Sequence, residues 1–114
     1  MKVVINTSIG GFGLSKAAYR FLGLEWDNYG HGITEEIDYC NNDKNRASPK
    51  LVRCVEQLGK KAYGTCARLK VVEIPDDVDW YIYRHDIGPE VIHEKHRVWD
   101  EDGECILDGT EDEG

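Results

Sequence analysis

In the stretch ARLKVVEIPDDVDWYIYRH, two alternating runs are parted only by Pro75, Asp76 and Asp77. Leu69, Val71 and Glu73 fall on one face of the first run, and Lys70, Val72 and Ile74 on the other. Trp80, Ile82 and Arg84 oppose Tyr81 and Tyr83 in the second. Period two with β-branched and aromatic residues predicts strands over 68–74 and 79–84, joined by a turn. HDIGPE follows as a loop. EVIHEKHRVW fits either a strand or a helix, and its β-branched ends favour a strand. ECILDG is read as a short final strand. Strand follows strand here, with too little strand-helix alternation for a doubly wound parallel sheet.

The first half of the chain supplies the helices. KVVI (2–5) is a β-branched, apolar run and reads as a buried strand. NTSIGGFGLS (6–15) then leads into a helix: Ser15 is a good N-cap, Ala17, Ala18, Phe21 and Leu22 have helical spacing, and Gly23 can end it. A second helix starts at Ser48-Pro49, the serine as cap and the proline at the first helical position. Leu51, Val52, Val55 and Leu58 line one of its faces, and Gly59 or Gly64 ends it. Between the helices, 23–48 reads as a long loop with one short element near 33–39. Trp26, Tyr29 and Tyr39 argue that it packs on something. The order β-α-loop-α-β-β-β predicts an α+β fold: a small, mainly antiparallel sheet with two helices on one face.

One domain over 1–99 is expected for a chain of 114 residues. Eight of the 22 acids lie in 100–114 with no base among them, so the remaining 14 balance the 14 bases. The net charge of -8 thus belongs to an acidic C-terminal tail. A solvated tail is the plain reading; a lure for a basic partner or a nucleic-acid mimic is the functional one. A neutral body argues against binding nucleic acid, which draws on basic patches. No run approaches the roughly 18 apolar residues of a membrane helix. The N-terminus lacks a basic region followed by an apolar one, so a cytoplasmic protein is expected. Cys40, Cys54, Cys66 and Cys105 show no C-x-x-C spacing, which makes a zinc ribbon unexpected, and reduced thiols are expected. Cys54 falls in a helical pattern and reads as core packing.

Candidate sites come from three places. The loop GGFG fails the Walker pattern, because Gly13 is followed by Leu14 and Ser15 rather than lysine and a hydroxyl residue. It fails the dinucleotide fingerprint as well, because Lys16 stands where the last glycine belongs. What remains is either a structural turn or a generic anion contact through Gly10 and Gly11, with Phe12 for stacking. EKHRVW offers His96 and Arg97 as polar groups, Arg97 suited to phosphate, and Trp99 to stack on a base. The alternative is a strand end with its tryptophan in the core. Arg46, near the Ser48-Pro49 start, could join that helix start in holding an anion, or be a solvated loop arginine. His93 and His96 lie three apart and would share a face only on a helix. No third ligand is evident, so neither a metal site nor a cofactor is expected. General-base chemistry by His96 has no support from a motif, and no catalytic residue is assigned.

KVVIN…GGFGLS, R…SPKLVRCVEQLG, LKVVEIPDDVDW and EKHRVW together resemble a family of small phage and prophage proteins. The resemblance covers most of 1–99. It departs at Ser48, where the family pattern has aspartate, and at YIYRH and GPEVIH, where a more acidic strand and hairpin are expected. In size and layout the chain is similar to the Thoeris anti-defence sponges, which bind cyclic ADP-ribose immune signals. That resemblance implies a homo-oligomer with pockets between protomers, binding a cyclic nucleotide-type molecule without turnover. Two competing expectations stand beside it: an inhibitor that meets a host defence protein partly through the acidic tail, and a small nucleotide-cleaving enzyme with His96 or His93 as base.

Overall fold

The computed structural model describes residues 1–84 and 89–94, and strand backbone at 97–99 and 105–107. The fold is α+β, as the element order predicts. β1 (Lys2–Asn6) leads to α1 (Lys16–Leu22), a 3-10 helix at Asp43–Ala47, and α2 (Pro49–Leu58). Then come β2 (Leu69–Glu73), β3 (Trp80–Arg84), β4 (Glu90–Glu94), β5 (Arg97–Trp99) and β6 (Cys105–Leu107). The strands pair as three antiparallel ladders, β1 with β2, β3 with β4, and β5 with β6. β2 and β3 are close in sequence yet are not partners; the first strand of the chain takes β2 instead.

Alternation along β1 and β2 builds two cores. Val4 with Val71 and Leu69 faces the helices, packing against Leu14, Leu22, Leu51 and Val55. Val3 and Ile5, with Val72, face the other way onto Trp80 and Ile82 of the β3–β4 hairpin. The β1–β2 ladder is therefore the middle layer, with helices on one face and a hairpin on the other. Each face is buried because every second residue reaches the opposite core.

Local signals hold the helices as read. The Ser15 hydroxyl accepts the Ala18 N–H at 3.1 Å, and Gly23 closes α1 with φ +75°. Pro49 opens α2, but Ser48 corrects the expected cap: it occupies the position without a side-chain cap bond. Cys54 is fully buried, and burial alone pushes its thiol up to about 11.

The long segment between the helices is tied down by its own side chains. Asp27 Oδ1 accepts the N–H groups of Tyr29 and Gly30, both at 2.9 Å. The Tyr19 hydroxyl donates to Asp27 Oδ2 and accepts from Gly32 N–H at 2.7 Å. Ile33 and Asp38 form the short bridge expected near 33–39. Hydrogen bonds from Gly30 and then Tyr29 hold the Asp27 carboxyl below its ordinary value of 3.8. A lowered folded value means the carboxylate stabilises the fold above the ordinary value, and loses that effect as pH falls through the lowered one. Stability is thus expected to drop below about pH 4, and Asp27→Asn to flatten that drop. Urea midpoints measured from pH 6 to pH 2 on both proteins check this; parallel curves would remove Asp27 from the account.

Candidate functional site

Among the described residues, Arg46 is the largest fully buried side chain. Its five N–H donors find five acceptors. Nε donates to the Tyr39 carbonyl, Nη1 to the Val4 carbonyl at 3.1 Å and Glu90 Oε1 at 2.7 Å, and Nη2 to the Cys40 carbonyl at 3.2 Å and Glu90 Oε2 at 2.9 Å. Its guanidinium lies 3.9 Å over the Phe12 ring. Glu90, also buried, takes the Asn6 N–H at 2.8 Å on Oε1. Arg84 stands 3.5 Å from Glu90 Oε2 and donates to Asp43 at 2.9 Å. Two cations thus face two carboxylates, and the cluster is neutral.

The backbone explains why this cluster exists. Thr7 bonds Arg68 and Ile74 bonds Met1, so odd-numbered residues of β1 point their polar groups at β2. Val4 and Asn6 therefore point theirs to the open edge. Arg46 takes the Val4 carbonyl and Glu90 takes the Asn6 N–H, so an ion pair does there what a third strand would otherwise do. β3 is treated alike: its Ile82 N–H donates to Asp43 Oδ2 at 3.0 Å. The Asn6 side chain organises the neighbouring loop, donating to the Gly10 carbonyl and accepting from Ser8 and Arg68 N–H groups.

Against this frame lies an open cleft of about 580 Å³ between the 3-10 helix and β3. It is lined by Asp38, Asn41, Asn42, Asp43, Lys44, Trp80, Tyr81 and Arg84. Both carboxylates are committed. Asp38 accepts Asn41 N–H at 2.8 Å and Cys40 N–H at 3.0 Å, and the Asn41 bond holds its carboxyl below the ordinary range. Asp43 is shared between Arg84 and Ile82. Lys44 is exposed, and its ammonium sits 4.7 Å from the Trp80 ring centroid. Tyr81 borders the cleft, but its ring lies on the opposite face of β3 from Trp80, where its hydroxyl is 3.0 Å from His93 Nδ1 and His93 stacks on Tyr83. Trp80 is 3% exposed, so a planar ring could reach its face only by displacing Lys44, and an anion could meet Lys44. A second groove of about 400 Å³ beside α2 has no aromatic wall, and its Lys2 and Glu56 are paired at 2.7 Å.

The residues picked from the sequence do not gather here. Arg46 is neither the anion holder nor the solvated arginine expected of it; Glu90 and three carbonyls use all of its donors. Phe12 is buried beneath Arg46, so its ring is not offered to a ligand. Gly10 is pressed on Cys66: a Cβ there would lie 2.5 Å from the Cys66 Cβ. Gly11 is exposed with open space around it. Arg97 and Trp99 belong to β5, where only the strand backbone is described, and His96, with most of the acidic stretch, lies outside the described residues. His93 is on strand β4. Among the described residues, no three His, Cys, Asp or Glu side chains could hold a metal ion together, and no helix is long and apolar enough to cross a membrane.

Sequence reasoning placed Trp80 and Tyr81 on a strand but did not single out Lys44, Arg84 or Glu90. Glu90 left a trace: it shares the inward face of β4 with Ile92, and a charge at such a position asks for a buried partner. Lys44 left none. No protein-family model matches the chain, and no curated protein or solved structure does. The resemblance to small phage proteins rests on the quoted motifs alone, and the likeness to Thoeris sponges on size and layout.

Proposed function

We propose that this protein binds a nucleotide-class small molecule in the cleft between the 3-10 helix and β3 and holds it without turnover. Sequestration of a cyclic nucleotide or cyclic ADP-ribose immune signal by a phage counter-defence protein is the role this fits. The observation that carries the reading is the pairing of the Trp80 ring with the ammonium of Lys44 in one cleft. Rings take a base and a cation takes a phosphate. Binding is favoured over chemistry because Asp38 and Asp43 spend their oxygens on Cys40, Asn41, Ile82 and Arg84, and neither is presented as a base. Assembly into a homo-oligomer belongs to the same proposal and would add walls to an otherwise open cleft.

The protein purified from cells that make cyclic nucleotide signals, then denatured, is expected to release an intact nucleotide at near one per site. Mass spectrometry reads the released molecule. A blank, repeated after incubation with a panel of cyclic nucleotides, overturns the proposal. The competing reading, an inhibitor that meets a basic surface of a host defence protein, rests on the eight acids of 100–114. It calls for a salt-sensitive interaction that is lost when those residues are deleted.

A further inference from the structure

Trp80 is buried on both faces, but by very different neighbours. The hydrophobic cluster of Val3, Ile5 and Ile82 packs it from within. Lys44, an exposed side chain, covers the ring from the cleft. The Lys44 backbone is fixed, since its N–H bonds to Asn42 Oδ1 at 3.1 Å, while its four-carbon stem is free to turn. A cation over a ring at an exposed site is a weak contact. A base stacked on an aromatic side chain is at least as strong. The exchange is therefore favourable if the displaced ammonium keeps a partner.

A ligand's phosphate can be that partner, and the cleft's other cation is not free to compete for it. Arg84 is engaged with Asp43, Glu90 and the carbonyls of Cys40 and Ile82. Lys44 has no carboxylate at ion-pair distance among the described residues, so its charge is the one available to a ligand.

Resting on the reading of the cleft as a nucleotide site, we propose that Lys44 is a swinging lid on Trp80. A nucleoside phosphate displaces the ammonium from the indole face, lays its base there, and takes the ammonium as its phosphate contact. The ligand class is then an aromatic base joined to an anion, and the lid makes the phosphate a condition of tight binding. A neutral nucleoside must open the lid and receives nothing back from it.

Calorimetric titration with adenosine and with adenosine monophosphate, on the intact protein and on Lys44→Ala, tests this. The intact protein is expected to prefer the monophosphate by at least about tenfold, the worth of a charge-assisted contact. Lys44→Ala is expected to bind adenosine about threefold tighter, because the lid is gone. The same variant is expected to bind the monophosphate about tenfold weaker. Opposite shifts separate a lid from a general loss of structure, which would weaken both ligands. If both ligands weaken together, or neither changes, the lid is overturned while the cleft remains a nucleotide site. If neither ligand binds the intact protein at millimolar concentration, the nucleotide reading itself fails, and the lid with it.

Discussion

Arg46→Met is expected to cost about 3–5 kcal/mol of unfolding free energy at pH 7. Domains of this kind are stabilised by only about 5–15 kcal/mol in total, so the variant should sit near its folding limit. The cost does not come from losing an attraction. It comes from Glu90, left charged and buried with the Asn6 N–H and a more distant Arg84 as company. The carbonyls of Val4, Tyr39 and Cys40 lose a donor at the same time. Arg46→Lys should recover little, since three donors on a point charge cannot serve five acceptors. Urea denaturation of Arg46→Met, Glu90→Leu and the double variant separates the terms. If the ion pair dominates, the double variant costs clearly less than the two single ones added together. If the carbonyls dominate, the double variant is no better than Arg46→Met. A loss under about 1 kcal/mol for Arg46→Met would remove the residue from the framework.

Gly30→Ala is the second large effect, expected at about 3 kcal/mol. Gly30 has φ +81°, where an alanine is strained, and a Cβ there would lie 2.6 Å from the Leu14 carbonyl oxygen. Neither atom can move cheaply, because the Gly30 carbonyl also accepts the Leu14 N–H at 2.7 Å. Gly64 meets the same loop from its other side: its N–H bonds the Gly13 carbonyl, and a Cβ would come 2.6 Å from the Gly13 carbonyl carbon. Gly11→Ala, three residues before Leu14, should change stability by less than about 0.5 kcal/mol, since nothing lies within 4 Å of its Cβ position. Thermal melts of the two variants read this contrast directly. Equal effects would mean that the glycine cluster serves something other than backbone packing. In the structure, the loop that resembles a phosphate cradle is a place where chain segments touch main chain to main chain.

Several features were legible without coordinates because their causes are local. The alternation of 69–73 and 80–84, the 3.6 period of α2, the Ser15 cap, the Gly23 stop and the burial of Cys54 each depend on residues a few positions apart. Order in the segment 23–48 was half legible. Its aromatics promised packing, but Asp27, Asp38 and Asn42 act through hydrogen bonds to the backbone two or three residues on, a pattern shared by many loops.

Other features depended on distance across the fold. Pairing of β1 with β2 closes the chain over the whole helical half, and the alternation within each strand is the same whichever partner it takes. Arg46 reads as an ordinary loop arginine until Glu90, 44 residues away, is placed against it. A guanidinium enters the interior only where a carboxylate and enough carbonyls converge, and convergence is a property of tertiary structure. The sequence by itself determined both α-helices and the strands β1, β2 and β3, and which of their faces are apolar, but not the 3-10 helix at Asp43–Ala47. Only the fold decided that an arginine would seal the edge of β1 and that Lys44 would come to rest on Trp80, because each contact joins residues whose separation along the chain carries no periodic signal.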